Sequence, residues 1–174
     1  MPEAEVLLTL AEVSVAFAGF ASLVGILGHA TSAADARVLS LRMRAMLLAS
    51  LLVVAFSLIP VIVSGYGAAP HLAWTVSSFM LLGATLIYGV WLQHAIISLG
   101  RAGLTPSRFQ RRVIIPTLML TLIAAALLLI GNMIVAMPAI YLTALALLLF
   151  QSGFAFCLIV FSFLPRITGD LDET

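Results

Sequence analysis

Along the chain, long apolar runs alternate with short polar stretches, and within the runs the apolar residues do not alternate with polar ones. Runs such as LIAAALLLI and LALLLF lack the period-two pattern of barrel strands, so the spanning elements are predicted to be helices. About 20 apolar residues in a helix cross a hydrocarbon layer about 30 Å thick. The first run, 6–28, fits one crossing and is followed by a polar connector, 29–44, with Asp35, Arg37, Arg42 and Arg44. Residues 45–100 contain no Asp, Glu, Lys or Arg, a stretch too long for one crossing. It breaks at the turn-forming cluster SGYGAAPH, 64–71, which predicts helices over 45–63 and 72–98. A second polar connector, 101–112, leads to another charge-free block, 113–165, broken at GNMIVAMP, 131–138. Pro138 suits the first turn of a new helix, so the last two spans are predicted at 113–130 and 139–163. The expected fold is all-α, an integral membrane bundle of five transmembrane helices forming a single domain over 1–174.

Composition agrees with this pattern. Hydrophobic residues make up 63% of the 174 positions and charged residues 9%, well below the quarter typical of globular domains. A net charge of +1 supplies no field for nucleic acid. Cys157 is the only cysteine, so no disulfide forms within the chain. The acidic start, MPEAEV, lacks the positive region of a cleaved signal peptide, and the first run is expected to be retained as a span. All basic residues are arginines, and they lie in the first connector, the second connector and the tail, whereas the other turns have none. The positive-inside rule then predicts an outside N-terminus and a cytoplasmic C-terminus. On that orientation Tyr66, Trp74 and Tyr141 fall at the outer interface, and Phe109 and Phe163 at the inner one.

GFASLVGILG at 19–28, the arginine-bearing connector, LRMRAMLLASLLVVAFSLIP, and YLTALALLLFQSGFAF at 141–156 carry a resemblance. Together they are similar to a group of small bacterial multi-spanning inner-membrane proteins with a GFAG-like first helix. This chain has Ser22 in the last position of that motif. The resemblance implies a bacterial inner membrane and brings no activity with it.

The first helix carries the candidate chemistry, and the others are expected to pack around it. Ser14, Ala18, Ala21, Ser22, Gly25 and Gly28 form a stripe of small side chains at helical spacing, which permits close helix approach. Glu5, Glu12 and Gly19 lie roughly opposite, which suits a helix with one face on its own bundle and the other on a second copy. Glu12 lies about six residues, roughly 9 Å, inside the span. An acid at the centre of a span costs about 2.5–3.5 kcal/mol, which makes Glu12 a candidate for an ion or proton pathway, or else a neutral acid hydrogen-bonded between helices. Ser57 and Asn132 lie at similar depth to serve it, with Tyr66 and His71 nearer the surface.

Other polar residues read more plainly. Gln93, His94 and His29 fall near one interface, and with Asp35 they lack the short spacings of a metal site. Gln151 and Ser152, mid-span, suit bonding between helices. Pro60 and Pro116 are candidate kinks, and the arginines flanking the second and fourth helices suit anionic head groups. Nucleophile elbows, phosphate loops and dinucleotide fingerprints do not occur, so neither an enzyme nor a cofactor is expected. The expected function is a homo-oligomeric channel or permease, or else a scaffold that docks a partner protein through the small-residue stripe.

Overall fold

In the computed structural model, which describes residues 2–27, 33–67, 69–102 and 110–169, the chain forms five long helices. They are α1 (Pro2–Leu27), α2 (Ala33–Gly65), α3 (Pro70–Arg101), α4 (Ile115–Val135) and α5 (Pro138–Gly169). Each contains a segment long and apolar enough to cross a membrane. A π-helical turn, Gln110–Ile114, leads into α4. Pro116 is the second residue of α4, directly after that π-helical turn.

Helices outrun the predicted spans at the arginine-bearing end. Much of the predicted first connector is helical, because AADARVLSLRMR contains neither Gly nor Pro to interrupt it. Charge ends a membrane crossing, not a helix. At the opposite end the two hairpin turns differ. Between α2 and α3 the chain turns through Gly67 at φ +79°, and Pro70 opens α3. Between α4 and α5 the left-handed residue is Ala136, at φ 51°, while Gly131 of the predicted break stays inside α4. A left-handed alanine costs about 1–2 kcal/mol. Asn132 offsets that cost: its backbone carbonyl accepts from Ala136 N–H at 2.8 Å, and its side-chain Oδ1 accepts from Met137 N–H at 2.7 Å. Pro138 begins α5, as its position predicts.

The packing order corrects one expectation. α2, α3, α4 and α5 form a closed ring, each touching its two neighbours, with only a slight α3–α5 contact across it. Among the described residues α1 touches only α2 and α5, so it lies outside the ring and is not its centre. The main core joins Leu7 of α1 to Val53 and Phe56 of α2, Leu81 of α3, Leu129 of α4 and Leu145 of α5. A smaller cluster seals α1 to α2 and α5 through Ala21, Met46, Ala155 and Ile159.

Pro60, buried inside α2, has no N–H to offer the Phe56 carbonyl one turn earlier. The Tyr141 hydroxyl of α5 donates to that oxygen at 2.7 Å. Tyr141 is fully buried, with its ring 5.6 Å from that of Trp74, so it serves the core and not the interface. Tyr66, 89% exposed at the turn, is placed as an interfacial ring would be. Phe109 and the side chain of Phe163 lie outside the described residues.

Candidate functional site

The face of α1 that meets the bundle carries Leu7, Ala11, Ser14 and Ala21, all buried, with Ala18 half-buried. Of the predicted stripe, Ser14 and Ala21 thus face inward. Ser22 is exposed, and its hydroxyl donates back to the Ala18 carbonyl of its own helix. The side-chain surroundings of Gly25, and Gly28 altogether, lie outside the described residues. The close approach on α1 is provided from the other side. Gly153 of α5 receives the Phe17 ring, which would stand 3.3 Å from an added Cβ. A lone glycine in an apolar run gave no sequence signal for this, because its partner is on a helix more than a hundred residues away.

Glu12 is exposed on the outward face of α1, near the middle of the segment Glu3–Leu23. Its side chain has no hydrogen bond or ion pair among the described residues. Glu5 and Gly19 share that face and are exposed too. None of the expected partners reaches Glu12. Asn132 is committed to Ser78 at 2.9 Å and to the turn, Tyr66 projects from the bundle, and Ser57 is buried within it. Within this chain Glu12 is therefore not an acid held between helices.

The other polar group at membrane depth is buried. Tyr88 of α3 donates to the Ala45 carbonyl of α2 at 3.1 Å, and Gln151 of α5 donates to the Tyr88 hydroxyl at 3.4 Å. Ser50 of α2 lies 2.7 Å from Ser152 of α5, which donates in turn to the Met46 carbonyl at 3.3 Å. Among the described residues four buried side-chain oxygens have no partner: Ser57 Oγ, Ser77 Oγ, Thr85 Oγ1 and Gln151 Oε1. Elsewhere Ser14, Ser64, Thr75 and Thr143 turn back to the carbonyl four residues earlier. Ser57, Ser77 and Thr85 do not use that acceptor. Gln93 and His94 are exposed on α3, whereas His29 and the side chain of Asp35 lie outside the described residues.

Fold and site together define a class, the polytopic helical membrane protein. No protein-family model, curated protein or solved structure matches the chain.

Proposed function

We propose that the protein is a small channel-like or permease-like protein that works as a homo-oligomer, with copies meeting on the outward face of α1. Glu12 then lies in or beside the passage between them. The observation that carries this reading is the placement of Glu12: outward, mid-span, and without a partner among the described residues. A carboxyl facing lipid costs up to about 2.5–3.5 kcal/mol, the value at the centre of a span, and a neighbouring copy or a water-lined passage removes that cost. The middle of the ring is filled by the buried Leu81, Leu129, Leu145 and Leu148, which favours a passage between copies over one through a single copy.

Arginines 37, 42, 44, 101 and 112 gather at one end of the bundle and Glu3 and Glu5 at the other. This supports a cytoplasmic arginine end and an outside N-terminus.

The second reading is a scaffold that presents the same α1 face to another protein. Its support is the packed ring, which needs no transport role to explain it. Glu12→Gln separates the two, because it keeps size and hydrogen bonding while removing titration. In the transport reading the variant assembles like the parent in mild detergent, yet its proton or ion flux in liposomes falls or loses its pH dependence. Unchanged flux and pH response in a well-assembled variant would falsify the assignment of Glu12 to the passage. Absence of flux in the parent as well favours the scaffold.

A further inference from the structure

At the arginine end an open groove of about 490 Å³ is lined by residues of α2 and α3. Arg37, Ser40 and Arg44 line it from α2, at positions i, i+3 and i+7 of one helix face. Trp91, Ser98 and Leu99 line it from α3, and among the described residues no acidic side chain contributes to it. Arg37 and Arg44 are separated by about 10 Å along the axis, so their long side chains, with Ser40 between them, can converge on one group from two sides. The Ser98 hydroxyl donates to the Ala95 carbonyl at 2.8 Å, which leaves the guanidinium groups, Ser40 and the Trp91 indole N–H as the groove's side-chain donors.

We propose that this groove binds an anionic phospholipid, its phosphate held by Arg37, Arg44 and Ser40 and its upper acyl chain lying against Trp91. A guanidinium presents a planar fork that matches phosphate oxygens, and near a membrane surface each basic residue adds to attraction for anionic lipid. Polarity along the groove selects a lipid over a free anion. Tyr88 of α3 meets Ala45 of α2, so Arg44 and Trp91 form the end of the groove that borders the uncharged block, and Arg37 and Leu99 form the end at head-group level. A soluble phosphate would leave the Trp91 ring at the hydrocarbon end of the groove without a partner. The inference does not depend on transport, on Glu12 or on which leaflet the arginine end faces.

Trp74 and Trp91 are the only tryptophans, so Trp74→Phe leaves Trp91 as the sole indole reporter. The protein is reconstituted in phosphatidylcholine vesicles containing equal small fractions of brominated phosphatidylglycerol or brominated phosphatidylcholine. Trp91 emission is expected to be quenched more strongly by the anionic lipid, and Arg37→Gln with Arg44→Gln should bring the two lipids level. Arg112→Gln removes a charge from the same end outside the groove and should preserve the preference. Equal quenching by both lipids in the parent, or an equal loss on Arg112→Gln, would overturn the proposal. Loss of the preference in excess inorganic phosphate would reassign the site to a free anion. Native mass spectrometry makes the same comparison with both tryptophans in place. The parent should retain phosphatidylglycerol that the double arginine variant loses, and equal retention by the two would overturn the site.

Discussion

Two sets of polar side chains lie at membrane depth, and their surroundings are opposite. Inside the ring, Tyr88, Gln151, Ser50, Ser152 and Tyr141 bind one another or a backbone carbonyl across helices. On the outside, Glu12 faces away from every helix of its own chain. These inner groups find partners within the bundle because hydrocarbon offers no water, although Ser57, Ser77, Thr85 and the Gln151 Oε1 have none among the described residues. An outward acid has no such neighbour within one copy, so its demand is directed at whatever lies beside the molecule. The first set ties α2, α3 and α5 to one another; the second indicates where the molecule meets something else.

The contrast breaks most readily at Tyr141. Tyr141→Phe keeps the ring beside Trp74 but strips the Phe56 carbonyl, which Pro60 cannot serve, of its donor. A loss of about 1–3 kcal/mol in unfolding free energy is expected, the penalty for an unsatisfied buried polar group. It is measured by denaturation in detergent, and a loss no larger than that of Ser50→Ala would mean the Pro60 gap carries no special cost. Ser50→Ala should itself cost about 0.6 kcal/mol, the average for a hydrogen bond between membrane helices, because Ser152 keeps the Met46 carbonyl as acceptor. Smallest of all is Thr85→Val, which removes a buried oxygen that has no partner while keeping the shape. Its stability should match or slightly exceed that of the parent, and a clear loss would show that the oxygen is satisfied in the membrane.

The sequence made the helices legible because membrane crossing is a property of one segment and its solvent. Length, absence of charge, the turn cluster at 64–71 and Pro138 are local, and each crossing must satisfy its own backbone. The predicted spans stop short at the arginine end because charge was taken as a boundary for the helix as well as for the crossing. At the second turn, glycine was the natural candidate for the left-handed position, yet Ala136 occupies it because the Asn132 side chain secures the turn. Neither Ala136 nor Asn132 announces this in a string of letters.

Site features divide in the same way. That Glu12 is anomalous follows from one acid in one apolar helix, and that it lies opposite a small-residue stripe follows from the 100° step of that helix. Which of those two faces meets the bundle depends on where α2 and α5 stand. So does the peripheral place of α1, since nothing in its own residues distinguishes a helix at the centre from one at the edge when both are apolar. The Tyr141–Phe56 bond, the Ser50–Ser152 pair and the seating of Phe17 against Gly153 join positions 85, 102 and 136 residues apart. Segment chemistry determined that the chain crosses the membrane and where each helix begins to do so. Only tertiary packing decided which polar groups are answered within the molecule and which are left facing outward, because lipid treats all apolar faces alike and the choice among them is made by fit.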